Sequence, residues 1–337
     1  MRVLVTGADG FIGERLLRFL LEEPALSIEG ERHEKIDEII LACQSGDVLR
    51  NATDPRLTIK SGNIGDPSFL KRLFDKRVDS VFHLASTPPV EIEEHFETGF
   101  PINFHSTWNI LEMCRLQNNR PRVIFTSSTA VFGGPLPRKV DDSQTRTPQN
   151  SYGTAKAIGE LLIDDYTRNG FIDGRSLRFP FVIVRPTAQP NSIPDRIGAL
   201  LRDPLLGRSV TCPFRPETSV PVASVRNAAW SLLRMHQIPS DRFGHTRALN
   251  MPALTVILSE LADAVGGVNY PGSRGKIQWE PEERLQDIVD CWPSAIQADE
   301  AQRHGLRADT NVSEILSNFV EDYDPLEPQG KPILAVV

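Results

Sequence analysis

The sequence predicts an α/β protein, in which a doubly wound parallel sheet is followed by a smaller C-terminal subdomain. Short β-branched runs alternate with longer helical patterns through the first half of the chain, as in the βαβ units of a parallel sheet. From residue 185 onward prolines recur every few positions, which favours long loops with short elements. The predicted units are the sheet domain at 1–184, the C-terminal subdomain at 185–322 and an extended tail at 323–337. Part of the segment 185–322 is expected to cross back to the sheet domain.

The predicted strands are short runs rich in branched and aromatic residues. They are Arg2–Thr6, Ile36–Cys43, Leu57–Ser61, Ser80–Leu84, Arg122–Ser127 and Leu177–Val184. The predicted helices are Phe11–Glu23, about 104–116, Tyr152–Arg168, Arg226–His236 and Val256–Val265. Pro180 lies inside the sixth strand and predicts a local irregularity there.

Composition and charge restrict the class of protein. The 337 residues are 40% hydrophobic and 24% charged, which is ordinary for a chain that buries a core. The net charge of −7 argues against nucleic acid or an anionic membrane as the main partner. We find no signal-peptide pattern, no membrane-spanning run, no dense cysteine framework and no histidine spacing typical of metal ligands. We therefore expect a reduced, cytoplasmic protein that binds a small molecule and no metal.

A glycine-rich turn follows the first strand. Its sequence TGADGFIG spans residues 6–13 and places glycines at Gly7, Gly10 and Gly13. The first permits a tight turn, the second lets the backbone approach a pyrophosphate, and the third lets helix and strand pack closely. The helix that begins at Phe11 and Ile12 then offers its N-terminal N–H groups to the phosphates. This pattern predicts a Rossmann domain that binds a dinucleotide through these five residues.

The second strand ends without the acid that often binds the adenosine ribose hydroxyls. Cys43 and Gln44 occupy its tip, and Gln44 is the predicted cofactor contact. Asp47 or Arg50 could reach in from the following loop. The choice between NAD and NADP stays open at this point.

A second group of polar residues predicts a proton-transfer site. Tyr152 and Lys156 are four residues apart, so they share one face of the predicted helix. A cationic ammonium and the positive nicotinamide of an oxidised cofactor both lower the pKa of a phenol, which lets it take a proton from an alcohol. Ser127 and Ser128 close the fifth strand at the ligand-binding edge, and Ser128 is preferred as the hydroxyl that binds the substrate oxygen.

In these motifs the chain resembles the extended short-chain dehydrogenase/reductase family, which includes nucleotide-sugar epimerases and dehydratases. The matching runs are TGADGFIG (6–13), GNI (62–64), HLAS (83–86), TSSTAVFGG (126–134), YGTAK (152–156) and RFPFVIVRP (178–186), with Asn103. The resemblance implies NAD or NADP as cofactor, a homodimer built from the helices near 104–116 and 153–168, and further cofactor-binding residues. These are Asn63, Ile64, Leu84, Ala85, Ser86, Asn103, Ser127 and Pro180, besides Tyr152 and Lys156.

Within the family the chain is similar to enzymes that oxidise small sugar acids such as D-erythronate. The similar runs include AVFGGPLP (130–137), RDPLLG (202–207) and CPFRPET (212–218). The likeness implies NAD(P)-linked oxidation of a 2-hydroxyl or reduction of the 2-keto acid. Arg185 is the candidate clamp for the carboxylate, although a structural ion pair is an equal interpretation. The implied substrate-binding residues are Thr87, Ser128, Thr129, Arg185 and Asn191.

Three alternatives stay open. A reductase of another carbonyl compound would use the same residues. A nucleotide-sugar epimerase or dehydratase would also use Tyr152, with a tightly retained NAD. A non-catalytic cofactor-binding regulator is the weakest alternative, because such proteins usually lose the tyrosine or the lysine.

Overall fold

The computed structural model describes residues 1–29, 32–45, 54–185, 192–244, 246–267 and 274–323. The predicted tail lies outside the described residues from 324 onward. Among the described helices, none is both long enough and apolar enough to cross a membrane.

The first half of the chain alternates strands with helices. In order these are β1 Arg2–Thr6, α1 Phe11–Glu22, β2 Ala25–Glu29, β3 Arg32–Lys35, β4 Glu38–Cys43, β5 Leu57–Ser61, α2 Pro67–Leu73, β6 Ser80–His83, α3 Pro89–Glu94, α4 Phe96–Gln117, β7 Arg122–Ser128, α5 Ser151–Arg168 and β8 Asp173–Phe179. The second half has shorter strands. They and their helices are β9 Phe181–Ile183, α6 Ile193–Leu205, β10 Val210–Cys212, β11 Ser219–Ser224, α7 Val225–Gln237, β12 Ala248–Asn250, β13 Leu254–Ile257, α8 Leu258–Asp263, β14 Ile277–Trp279, α9 Glu283–Asp290, α10 Asp299–Arg303 and α11 Val312–Tyr323.

Seven strands form one sheet in the order β12-β8-β7-β6-β1-β4-β5. Every pairing in it is parallel. The chain starts at β1 in the middle, runs to one edge through β4 and β5, and then crosses to the other side through β6. This is the doubly wound arrangement, and it confirms the predicted α/β fold. The last strand, β12, comes from the second half of the chain.

Helices cover both faces of this sheet. Because side chains alternate along a strand, Val3 and Val5 face one side and Leu4 faces the other. On the first side they pack with the apolar faces of α1 and α7, and on the second with those of α2, α4 and α5. The carboxyl ends of β1, β4, β6 and β7 therefore open at one uncovered edge, where parallel sheets bind ligands.

The C-terminal part has a core of its own around a three-stranded sheet, β13-β11-β9. Helix α6 lies on it with Ile197, Leu200 and Leu201 buried. The expectation of long loops with short elements after residue 185 is wrong for this 13-residue helix. Pro194 occupies its first turn, where a missing N–H costs no helical bond, and Pro204 comes at its last turn.

Three further boundaries and one hairpin differ from the sequence-based prediction. Pro180 divides the predicted sixth strand, so that β8 belongs to the large sheet and β9 pairs with β11 in the small one. The helix predicted at Val256–Val265 begins only at Leu258, because Leu254–Ile257 alternates in burial and pairs with β11 as β13. Helix α4 begins at Phe96 and accommodates Pro101 in its second turn, and the hairpin of β2 and β3 was not predicted.

At the amino edge of the sheet, three arginines surround one buried aspartate. Asp173 accepts from Arg122 at 2.9 Å, from Arg175 at 3.0 Å and from Arg247 at 2.9 Å. Arg175 also donates to the carbonyl of His236 at 2.6 Å, at the C-terminal end of α7, where the helix dipole is negative. Burial raises the pKa of Asp173, but the three guanidinium charges outweigh it and hold the pKa below its usual value. The cluster ties α7 to the sheet.

We expect Asp173→Asn to destabilise the protein by about 3–5 kcal/mol, because it leaves buried guanidinium groups without their counter-charge. The measurement is urea unfolding followed by circular dichroism. Asp165→Asn is the matched control, since Asp165 forms an exposed ion pair with Arg168 and its loss costs about 1 kcal/mol or less. Equal stability losses in the two variants would contradict the importance of the cluster.

Candidate active site

The glycine turn forms a backbone cradle at the carboxyl end of β1. Gly7 has φ +68°, and a Cβ there would lie 2.8 Å from the amide nitrogen of Ala85. A Cβ on Gly13 would lie 2.3 Å from the carbonyl oxygen of Gly7. Gly10 precedes α1 and makes no side-chain cap, which leaves the helix N-terminus to be satisfied by a ligand or water. The cradle therefore fits the pyrophosphate of a dinucleotide, as the glycine spacing predicts.

The segment after β6 forms the next wall of this cleft. The amide of Ala85, which follows Leu84, donates to Thr6 Oγ1 at 3.2 Å. Asn103 on α4 holds Thr87 by its backbone: Oδ1 accepts from Thr87 N at 2.6 Å and Nδ2 donates to Thr87 O at 3.1 Å. Asn103 is thus a residue that positions the wall, and its direct contact with a cofactor stays a prediction.

The adenosine end of the predicted site lies at the tips of β4 and β5. Asn63 is exposed there and accepts from Gly65 N at 2.8 Å, and Ile64 packs partly against the core. The amide of Gln44 donates to Asp9 Oδ2 at 2.9 Å. Sequence reasoning missed Asp9, although an acid directly before Gly10 is a visible signal. Residues 46–53, with Asp47 and Arg50, lie outside the described residues.

Tyr152 stands at the start of α5, whose first turn is capped by Asn150 through a 2.7 Å bond to Gly153 N. The hydroxyls of Ser86 and Ser128 lie near the phenol and lower the pKa of Tyr152. Ser128 thus lies where the sequence analysis expects it. Ser86, predicted only as part of the cofactor wall, also reaches the tyrosine hydroxyl.

The environment of Tyr152 keeps its phenol protonated. Burial raises the pKa of Tyr152 to about 12, whereas the bond from Ser86, the charge of Arg185 and the bond from Ser128 act in the opposite direction. The charge of Arg185 therefore favours the phenolate in this structure, and the expected effect of Lys156 stays a prediction.

Lys156 lies beside Tyr152, as the four-residue spacing predicts, with Nζ 5.5 Å from the centre of the phenol ring. The ammonium donates to the carbonyl oxygen of Thr126 at 2.8 Å and has no carboxylate partner among the described residues. Burial lowers the pKa of Lys156 to about 7.

Ser127 and Ser128 point to opposite faces of β7, because neighbouring side chains alternate along a strand. The Ser127 hydroxyl donates to the fully buried Glu160 at 2.5 Å, and Glu160 is bound by Arg178 at 2.8 Å. The side chain of Ser127 is thus part of a structural network, and a contact of Ser127 with the cofactor stays a prediction. Thr129 begins the short helical turn after β7 and is buried.

Arg185 follows β9 and enters the same cleft. Its guanidinium lies 4.2 Å from the centre of the Phe11 ring, next to the glycine turn. Ile12, the residue after Phe11, packs partly against the sheet core. Burial lowers the pKa of Arg185, and the charges of Asp195 and Tyr152 oppose that effect. The structure thus places Arg185 between an acid and the candidate catalytic hydroxyl. Asn191, its predicted companion, lies outside the described residues.

The residue before Arg185 has a strained backbone. Val184 is buried and has φ +62°, a region that a β-branched residue rarely adopts. Gly198 of α6 packs against this peptide, since a Cβ there would lie 2.6 Å from Val184 N. Such a conformation costs about 1–3 kcal/mol and persists only where the surrounding packing enforces it. No sequence signal marks it.

With this geometry in place, the chain can be compared with known proteins. The profile of the NAD-dependent epimerase/dehydratase family matches residues 3–227. The chain belongs to this family. Two family members named D-erythronate dehydrogenase are similar over nearly their whole length. The protein from Cupriavidus necator is 37% identical, and the alignment covers 96% of this chain and 98% of that protein. The protein from Haemophilus influenzae is 33% identical, and the alignment covers 96% of this chain and 100% of that protein.

Solved structures agree with this assignment. A nucleoside-diphosphate-sugar epimerase from Agrobacterium tumefaciens superimposes with a TM-score of 0.86 at 30% identity, covering 96% of this chain and 94% of its own. An L-threonine dehydrogenase from Cupriavidus necator superimposes with a TM-score of 0.81 at 23% identity and shows the shared fold. The superposition covers 95% of this chain and 99% of that structure. The predictions of a Rossmann fold and of an NAD(P)-dependent enzyme of the epimerase/dehydratase family are confirmed.

The shifted pKa of Lys156 predicts a pH-dependent stability. The unfolded chain keeps this ammonium charged up to a pKa of 10.5, whereas the folded protein releases the proton near pH 7. The folded state therefore binds fewer protons between these values, and its stability rises with pH there. Relative to Lys156→Met, the free energy of unfolding of the wild type is expected to increase above about pH 7 by at most about 1.4 kcal/mol per pH unit.

The measurement is urea unfolding of both proteins, without nicotinamide, at several pH values between about 6 and 9. Lys139→Met, at an exposed position, is the control and is expected to follow the wild type. Parallel stability curves for the wild type and Lys156→Met would show that the ammonium does not titrate in this range.

Proposed function

We propose that the protein is a dehydrogenase that oxidises the 2-hydroxyl of a small sugar acid of the D-erythronate class, or reduces the corresponding 2-keto acid. The observation that carries this proposal is the end-to-end similarity to two D-erythronate dehydrogenases. A cation at Arg185, electrostatically coupled to the candidate catalytic hydroxyl of Tyr152, agrees with an anionic substrate.

The dinucleotide is held by the glycine cradle, by the segment from Leu84 to Ser86 and by Lys156. When bound, the dinucleotide would supply the acceptor for a hydride from the substrate carbon, or the donor in the reverse direction. Tyr152 moves the proton at the substrate oxygen: its phenolate accepts it during oxidation, and its phenol returns it during reduction. Ser128 and Ser86 bind the same oxygen and share its charge with Tyr152.

Before it can act as a base, Tyr152 has to lose a proton that burial holds firmly. Arg185 opposes this burial effect, and the positive charge of an oxidised nicotinamide would act in the same direction. Lys156, with Nζ close to the phenol ring, adds a further positive charge whenever it is protonated. The site therefore favours the phenolate only when cations are gathered around it.

Arg185 is the proposed clamp for the substrate carboxylate. A guanidinium binds a carboxylate through two parallel hydrogen bonds, which fixes both the position and the orientation of the acid. Its stacking on Phe11 limits where the guanidinium can lie and places it beside the glycine turn. A polyol of the same length without the carboxylate is therefore expected to be a poor substrate.

Thr87 and Thr129 are proposed as further substrate contacts.

The test is to mix the purified protein with oxidised dinucleotide and D-erythronate and to follow the absorbance of reduced nicotinamide. Tyr152→Phe is expected to lower kcat by about 10²–10⁴-fold, because it removes the group that transfers the proton. Dinucleotide binding is expected to persist. Tyr166→Phe on the same helix is the control, since Tyr166 is bound by Glu112 and Trp108 away from the cleft.

Erythritol, which lacks the carboxylate, is the matched substrate control. Turnover of erythritol equal to that of D-erythronate would contradict the clamp at Arg185. No turnover of any four- to six-carbon sugar acid, in either direction, would contradict the proposed substrate class. Retained dinucleotide and interconversion of a nucleotide sugar, without net reduction of added cofactor, would identify the protein as an epimerase instead.

We also propose that the enzyme is a cytoplasmic homodimer. Helix α4 carries an aromatic stripe, Phe96, Phe100, Phe104 and Trp108, in which successive ring centres are 5.2, 6.3 and 6.2 Å apart. Phe96 is 53% and Trp108 42% exposed, and Leu161 on the adjacent α5 is 56% exposed. Burying this apolar surface against a second copy would remove it from water. The cytoplasmic location stays a prediction from composition.

Trp108→Glu is expected to convert the dimer into a monomer, because it places a charge within the apolar contact. Light scattering after size-exclusion chromatography measures the mass. Ile288→Glu on α9 is the control, since Ile288 is similarly exposed, at 37%, but far along the chain from the stripe. A monomeric wild type, or a dimeric Trp108→Glu, would refute the proposed interface.

A further inference from the structure

The strand that normally supplies an acid for the adenosine ribose does not do so here. In dinucleotide-binding folds an Asp or Glu at the end of the second sheet strand accepts hydrogen bonds from the ribose hydroxyls. In this protein that strand is β4, which ends at the buried Cys43 and is followed by the exposed Gln44. Neither side chain carries a negative charge.

The glycine turn brings a carboxylate to the same place. Asp9, the residue before Gly10, accepts from the amide of Gln44 at 2.9 Å. The turn itself is tied to the end of β4, because the amides of Gly7 and Ala8 donate to the carbonyl oxygen of Ala42 at 2.9 and 3.3 Å. Two backbone hydrogen bonds, together with the bond from the Gln44 amide, therefore hold the Asp9 carboxylate at the carboxyl end of β4.

We propose that Asp9 takes over the role of the missing strand-end acid and selects NAD over NADP. Its side chain is only partly buried, and within the described part of the chain its second carboxylate oxygen accepts no hydrogen bond. That oxygen can accept from a ribose hydroxyl. A phosphate on the 2′ oxygen would instead meet a negative charge, and like charges at close distance repel. The inference rests on the dinucleotide site of the proposed function.

Among the described residues, none forms an ion pair that neutralises Asp9. Glu14, in the first turn of α1, is also buried nearby: burial raises its pKa to about 7, Arg18 opposes the shift and Asp9 adds to it. Within the described part of the chain, a 2′-phosphate would therefore meet the carboxylate of Asp9 without a cation paired to it.

The test measures binding without any substrate, by titrating the protein with NADH and with NADPH and following nicotinamide fluorescence. The wild type is expected to bind NADH at least tenfold more tightly than NADPH. Asp9→Asn, which keeps the shape and removes the charge, is expected to reduce this ratio by about tenfold, equivalent to about 1.4 kcal/mol. Asp9→Glu is expected to preserve the preference. The exposed Asp263→Asn is the control for a change in net charge.

Asp9→Ser provides a second uncharged variant in case Asp9→Asn folds poorly, which a thermal melt without cofactor shows directly. Equal affinity of the wild type for both cofactors would overturn the inference, and so would an unchanged ratio in the uncharged variants. An equal loss of both affinities would show a structural role only. A selective wild type that turns over no sugar acid would leave this inference standing and overturn the proposed substrate alone.

Discussion

The cofactor cradle depends on the close backbone approach at the glycine turn, which lies between the end of β6 and the start of α1. Gly7 lies against the backbone of Ala85, and Gly13 lies against the carbonyl of Gly7, with no room for a Cβ in either place. This contact draws the wall after β6 toward β1, where Thr6 receives the amide of Ala85. The wall in turn carries Ser86 to the hydroxyl of Tyr152. A side chain in the turn would thus disturb the cofactor cradle and the proton-transfer group together.

Charge is distributed differently at the two edges of the sheet. At the amino edge Arg122 and Arg175 are matched by Asp173 and by the C-terminal end of α7, so these buried charges hold the fold together. At the carboxyl edge Lys156 lies without a carboxylate partner in the described structure, and its pKa shifts strongly. Ionisable groups left in this state destabilise the folded protein, and that same property makes them reactive. The asymmetry separates the part of the sheet that supports the fold from the part that does chemistry.

Much of this arrangement follows from local patterns in the sequence. The spacing of the glycines, the four-residue interval from Tyr152 to Lys156 and the alternation of strands and helices each depend on neighbouring residues alone. The division of roles between Ser127 and Ser128 also follows from strand alternation. These features were predicted, and the structure places them as expected, apart from the side chain of Ser127.

What sequence reasoning missed depends on contacts between distant segments. Asp9 approaches Gln44 only because β1 and β4 are neighbours in the sheet. Arg185 acts on the phenol of Tyr152 because the chain crosses from β9 back toward the cleft. Helix α6 forms in a proline-rich stretch because its prolines fall at its two ends, while the strand at β13 is imposed by pairing with β11. Neither helix α6 nor strand β13 can be predicted from the secondary-structure propensities of a short stretch of sequence.

The strained peptide at Val184 has a consequence for how this enzyme changes over evolutionary time. Glycine adopts the same backbone angles without strain, but replacing Val184 by glycine would also remove a side chain from the C-terminal core and increase the entropy of the unfolded chain. These losses offset the strain that the replacement relieves. The replacement would also free the backbone that carries Arg185 into the cleft. A mutation that only relaxes this peptide therefore brings the chain no net gain, and the valine persists at a position whose backbone angles favour another residue.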